Sequence, residues 1–166
     1  FKVLGSGYDG GFGLMPSSTH QGLFCLFDDD EAADRFIEHS SVAEAYRSHA
    51  RECFSVKLRA FSSRGSWSGH TMPVSAATPL AGPIAALTRA SIHPARAWRF
   101  WQKAPPAERD LAVAPGCLLA AGLGEAPVLR QATFTVWEDV PSMDRYARSG
   151  AHLEAIRAAH QGHYFS

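Results

Sequence analysis

No stretch of this sequence stays apolar long enough to cross a membrane. Gly, Pro or a charged residue interrupts every hydrophobic run well before the ~18 residues a spanning helix needs. Net charge is missing as well: sixteen Lys and Arg balance sixteen Asp and Glu. That argues against an electrostatic nucleic-acid binder, which carries a basic surplus. Cysteine is sparse, with three residues, Cys25, Cys53 and Cys117. No pair forms a CxxC, so a zinc knuckle is not expected. Each lies in an apolar run, and the expectation is buried, reduced thiols in a cytosolic protein. No HExxH or His-x-His spacing occurs, so no local zinc or non-haem iron site is indicated. No signal-peptide pattern is visible. The sequence opens at Phe1 inside an apparent strand and without an initiator Met, which sets the expectation of an upstream piece.

What is present is enough apolar residue, 46% of the chain, for a substantial core, and an internal repeat. Residues 19–50, moved forward by 110 positions without a gap, place "QGLFCLFDDDEAADRF" on "QATFTVWEDVPSMDRY" and "VAEAYR" on "HLEAIR". Asp29 meets Asp139, Asp34 and Arg35 meet Asp144 and Arg145, and Glu44 meets Glu154. Aromatics match in kind, Phe27 with Trp137 and Phe36 with Tyr146.

Each copy reads as a strand, a capped helix, a break and a second short helix. Asp28 to Asp30 can cap the first copy's helix, and Ser142 after Pro141 the second's. "CFSVKLRAF" alternates and predicts a further strand. "PIAALTRASI" predicts a strand ended by His93-Pro94, with His93 in an N-cap position, and "ARAWRFWQKA" a helix. "GCLLAAGLGEAP" predicts a strand. Strand, helix, strand, strand, helix is the order of a split βαβ unit. The fold expected is α+β: tandem ferredoxin-like repeats forming a dimeric α+β barrel-type fold. Its first half is 1–61, its Gly/Ser/Pro-rich linker 62–83, and its second half 84–166. The first half lacks an opening strand and helix, so about forty residues are expected upstream.

The copies differ where Val42 in the first meets His152 in the second. A histidine on the same stripe as Ile156, one turn on, needs a partner for its ring nitrogens. That partner is either a backbone carbonyl near the Gly150 break or something bound. His160 and His163 read as helix-end or surface residues, and His20, His39 and His49 as solvated. His70, in the linker, is a candidate for a pocket mouth.

"LGSGYDGGFG", Leu4 to Gly13, is not a dinucleotide fingerprint, because Met15-Pro16 and a strand follow instead of a helix. It predicts a flexible loop able to close over a ligand. "GSWSG" has the wrong spacing for a nucleophile elbow. Arg89 sits inside an apolar strand and must point outward or find an anion, either Glu125 or a ligand. Arg130 has the same choice. The tryptophans read as core.

"KVLGSG", "GSWSG", "GPIAALTRASI", "RFW", "GLGEAPVLRQATFTVW" and "GAHLEAIRAAH", spread in order through nearly all of the chain, resemble the spheroidene monooxygenase family, the acyclic carotenoid 2-ketolases. The resemblance implies haem (iron protoporphyrin IX) and oxygen chemistry on a long apolar polyene. The fold it implies is the one shared with aldoxime dehydratases and chlorite dismutases. In those relatives a histidine on a C-terminal-half helix ligates the iron. The matching residue is His152, with Ile156 beside the cofactor. Arg89 and Gln131 are candidates for the catalytic distal side, Arg130 for the haem propionates, and Trp67 and Ser68 for a lid.

The partners implied are haem, an apolar small-molecule substrate, oxygen and an electron donor, with no nucleic acid. A homo-oligomer is one expected state. The location implied is cytoplasmic, with membrane association for access to an apolar substrate. Two alternatives stay open: other chemistry on the same haem scaffold, such as aldoxime dehydration, and a haem or apolar-ligand binding protein without turnover.

Overall fold

The computed structural model describes residues 1–102, 104–126, 129–150, 153 and 157. The chain divides into two compact units, one of Phe1 with Cys25–Thr78 and one of Lys2–Phe24 with Pro79–Ser166. The class is α+β, as expected.

The larger unit is built on one antiparallel sheet. Its strands are β1 (Lys2–Gly7), β2 (Pro16–Phe24), β3 (Ile84–Ser91), β4 (Cys117–Ala126) and β5 (Arg130–Trp137), in the order β2-β1-β4-β5-β3. β5 runs antiparallel between β3 and β4, so β3 and β4 are parallel to each other. Their crossover carries the helices α3 (Ala97–Trp101) and α4 (Ala104–Ala112). This is the split βαβ arrangement the element order predicts. β1 joins the ladder through Gly5 opposite Gly124 and Ser6 opposite Leu123, and the buried Ser6 hydroxyl donates to the Gly122 carbonyl at 2.6 Å.

Strand alternation gives the sheet two faces. Gln131, Thr133, Thr135 and Trp137 point to one. Trp137 is 1% exposed; its indole N–H donates to Thr135 Oγ1 at 2.9 Å, and that hydroxyl donates to the Ala86 carbonyl at 3.4 Å. No polar atom of the ring is left without a partner, which burial requires. The helix α5 (Val140–Ala147) packs on this face through Tyr146, whose ring centroid lies 5.3 Å from that of Trp137. Asp139, not Ser142, caps α5 by accepting from the Ser142 N–H at 2.8 Å. Ser142 is buried inside the helix. An acidic side chain suits this end, where unpaired N–H groups and the helix dipole are both positive.

The smaller unit holds α1 (Asp30–His39) and α2 (Ser41–His49). Asp29 caps α1, accepting from the Ala32 N–H at 2.6 Å. Ser40 caps α2 through the Ala43 N–H at 3.0 Å. Phe27 and Phe36 meet with centroids 5.3 Å apart, and Arg59–Asp30 and Lys57–Asp34 pair at the surface. The hydrogen bond to Asp34 raises the Lys57 pKa.

Several expectations are corrected. Residues 53–61 form no strand; alternation alone does not make one where no ladder partner is available. Cys53 is exposed rather than buried. Trp98 is 73% exposed and belongs to no core. His93 stands at a cap position without a side-chain capping bond.

Candidate functional site

The second sheet face carries Ala132, Phe134 and Val136 of β5. Register places Leu87 and Ala85 of β3, Leu123 and Ala121 of β4, and Leu4 of β1 beside them. Charge interrupts this apolar face at one end. Arg89, opposite Ala132, donates from Nε to Glu125 Oε2 at 3.1 Å, and its Nη2 lies 3.1 Å from the same oxygen. Lys2 Nζ lies 3.5 Å from Glu125 Oε1. Arg89 and Glu125 keep only 22% and 13% of their side-chain exposure. The anion Arg89 requires is therefore Glu125, the pairing that the sequence left open beside a ligand.

Gln131 points to the opposite face from Arg89, so the two proposed distal residues do not converge. Gln131 Nε2 reaches the Phe12 carbonyl at 3.5 Å. Arg130, at the start of β5, is exposed and pairs across to Ser91 and Ala126. Trp67 and Ser68, the lid candidates, lie in a tight turn: Trp67 and His70 exchange backbone hydrogen bonds of 2.8 and 3.1 Å. Ser68 (φ 52°) and Gly69 (φ 82°) take the two positive-φ positions, the geometry of a type I′ turn.

The glycine-rich segment 8–15 is fastened, not loose. Tyr8 N–H donates to the Met15 carbonyl at 2.7 Å, closing its neck. Phe12 N–H donates to Glu108 Oε1 of α4 at 3.0 Å. The Gly11 carbonyl sits against Gly122 and Gly7, where any Cβ would collide with it. The sequence-based expectation of a flexible loop is corrected by these long-range contacts. Glu108 was missed because no local pattern links it to a loop 96 residues away.

His152 and Ile156 lie outside the described residues. A hollow of about 280 Å³ lies between α4 and α5, lined in part by Asp110, Ser142, Arg145, Tyr146, Ser149 and Gly150. Gly150 has φ +57°, a turn that favours glycine, and the Asp110 carboxylate lies beside its Cα. Burial, with Asp110 and Cys117 adding negative charge, pushes the Tyr146 phenol up to about 12. It stays a protonated hydrogen-bond donor across the physiological range. The repeat held the signal for this residue, since a hydroxyl replaces the bare Phe36 ring.

A haem needs one protein ligand and a pocket. Among the described residues, no three His, Cys, Asp or Glu side chains gather to hold a metal ion. The hollow falls at or below the small end of ligand pockets, roughly 300–1,000 Å³. The residues lining this hollow do not by themselves enclose a tetrapyrrole. Burial raises the Cys25 and Cys117 thiols, which disfavours the thiolate an iron ligand requires. No helix among the described residues is long and apolar enough to cross a membrane.

No family model matches the chain. Three curated relatives do, each named spheroidene monooxygenase. The protein from Rubrivivax gelatinosus is 58% identical over 95% of this chain and 62% of its own length. The one from Rhodobacter capsulatus is 33% identical over 100% of this chain and 70% of its own. The one from Cereibacter sphaeroides is 33% identical over 99% and 52%. The chain therefore spans about half to seven-tenths of these relatives. Among solved structures, SnoaB, a cofactor-independent oxygenase from Streptomyces nogalater, covers 52% of this chain and 86% of its own at 18% identity and a TM-score of 0.43. A conserved protein from Methanosarcina mazei Go1 covers 48% and 80% at 17% identity and a TM-score of 0.44. By its sequence kinship across nearly its whole length, the chain belongs to the spheroidene monooxygenase family.

Proposed function

We propose that the chain forms the catalytic part of a monooxygenase acting on an apolar, carotenoid-like substrate, with haem as its oxygen-activating group and His152 as the proximal ligand. The observation that carries this reading is 58% identity over 95% of the chain to a spheroidene monooxygenase. The departure of the two internal copies at Val42 and His152 adds support from within the sequence. When bound, haem would supply oxygen activation. One oxygen atom enters the substrate. The other leaves as water with an electron pair from a donor and two protons.

The chain's own residues supply the surroundings. Leu87, Leu123, Phe134 and Val136, half-buried beside the fully buried Leu4, offer an apolar sheet face from which a polyene excludes water. Arg89, held by two nitrogens on Glu125, gives that face a fixed polar end. Tyr146 remains a neutral donor beside the turn at Gly150.

The test is isotopic. Purified chain is loaded with haem, supplied with an electron donor and a micellar carotenoid, and exposed to labelled oxygen. One labelled oxygen atom in the product per turnover is expected, with loss of turnover in His152→Ala. A product free of label contradicts the reading, as does unchanged turnover in that variant.

A further inference from the structure

The two outer strands of the sheet are finished differently. β2 opens on Pro16, which has no N–H to offer a neighbour, and its Ser17, Thr19 and His20 side chains bond to one another. Its ladder with β1 shifts register between Gly5 and Gly7. Proline, polar side chains and a bulge are devices that keep an edge from pairing further. β3 has none of them. It pairs with β5 over all eight of its residues without a register shift. Its one charge, Arg89, is committed to Glu125. Among the described residues, β3 has a ladder partner on one side alone.

Residues 53–59 present the complement. Among the described residues they have no ladder partner, and all of them are exposed. Phe54 is 68% exposed, Val56 48% and Leu58 56%. Between these alternate positions, Lys57 and Arg59 are neutralised by Asp34 and Asp30 of α1. An alternating segment buries its apolar side only when a neighbouring strand adds to it. The repeat says which strand is due. In a ferredoxin-like unit the closing strand runs antiparallel beside the opening one. Residues 53–59 hold the closing position of the first copy, and β3 holds the opening position of the second.

We propose that two molecules of the chain associate by strand exchange, residues 53–59 of one molecule pairing antiparallel with the outer edge of β3 in the other, and reciprocally. One register suits both sequences: Phe54 opposite Leu87, Val56 opposite Ala85, and Glu52 opposite Arg89. Apolar meets apolar, the acid meets the guanidinium, and no like charges face each other. The same contact made twice about a twofold axis closes the assembly at two molecules. Association by this route requires neither haem nor substrate.

The experiment is sedimentation equilibrium of the full chain over a dilution series, with deuterium exchange measured at both ends of the series. The wild type approaches twice its 18.0 kDa mass as concentration rises, and exchange slows in residues 53–59 and in β3 together. Val56→Pro removes a ladder donor, and it does so in both contacts of the dimer, so association weakens about tenfold or more. Thr88→Lys places on β3 the charge that guards natural edges and weakens association to a similar degree. Both side chains are exposed, so both variants keep the wild-type far-ultraviolet circular dichroism. Val113→Ser, at a residue 80% exposed outside both strands, associates as the wild type does. A wild-type chain that stays monomeric throughout overturns the proposal. So does a dimer that neither variant weakens, or that only one of them weakens, because the ladder needs both strands. Exchange that slows in other segments and not in these two places the interface elsewhere and overturns it as well. The wild-type exchange pattern decides alone should a variant fail to fold.

Discussion

The rings of Trp137 and Tyr146 lie 5.3 Å apart, centroid to centroid, and Phe27 and Phe36 hold the same 5.3 Å separation one repeat earlier. Both pairs join the residue at or just beyond a strand end to the helix that follows. Both helices are capped by the aspartate that the repeat aligns, Asp29 and Asp139. The duplication is thus visible in local geometry as well as in residue types. The second copy adds an indole N–H, a phenol and, at His152, an imidazole to positions that are purely apolar in the first.

Trp137 anchors the larger unit. Trp137→Ala removes a fully buried ring and leaves a cavity, at an expected cost of about 3–5 kcal/mol. Trp137→Phe, which restores the first copy's residue type, costs clearly less, because Thr135 keeps its bond to the Ala86 carbonyl. Denaturant unfolding of both variants checks the order.

The Asp139 cap predicts an acid response. Hydrogen bonds from Ser142 hold the Asp139 carboxyl below its ordinary 3.8. A lowered folded value means the stabilisation is fully present above the unfolded value and is lost as pH falls through the folded one. Thermal unfolding between neutral pH and about pH 2 should therefore show this component lost only at the acid end. Asp139→Asn keeps a capping oxygen and removes that component of the slope.

Much of this was legible in the sequence because it is local. Asp29, Phe27 and Phe36 lie within ten residues of one another, and strand alternation in 130–137 fixed which side chains share a face. The glycine-rich segment 8–15 was misread because its latch is not local: Glu108 and Gly122 act on residues 11 and 12 across roughly a hundred positions of chain. The alternating segment 53–61 shows the converse, a local pattern with no strand to pair with. Arg89 lay between. Its strand position announced that an anion was needed, and only the fold selected Glu125.

The glycine-rich segment should loosen when its latch is removed. Glu108→Ala frees the Phe12 N–H, and Gly122→Ala forces a methyl group against the Gly11 carbonyl and to 2.5 Å from the Phe12 ring. Both variants should be cut within residues 8–15 by limited proteolysis several-fold faster than the wild type. Gly122→Ala should also lose about 1–3 kcal/mol of stability, as overpacking does. Unchanged cleavage in both would show that the segment is ordered by something else.

Arg89 and Glu125 offer a way to separate stability from function. Arg89→Ala leaves a largely buried carboxylate with a weaker set of partners. Its cost should fall below the about 3–5 kcal/mol of a fully buried broken pair, since both side chains retain some solvent. The double replacement Arg89→Met, Glu125→Leu should recover most of that loss, because apolar residues of similar volume substitute well for such pairs. A double variant that is stable yet has lost oxygen incorporation assigns the pair to the reaction. One that is stable and fully active assigns it to the fold.

The most direct test of the central claim is the absorption spectrum of the purified chain after haem addition. A Soret band is predicted in the wild type and in His160→Ala, with its loss in His152→Ala. A wild-type protein that stays colourless with haem present, or a His152→Ala variant whose Soret band matches the wild type, would contradict the account.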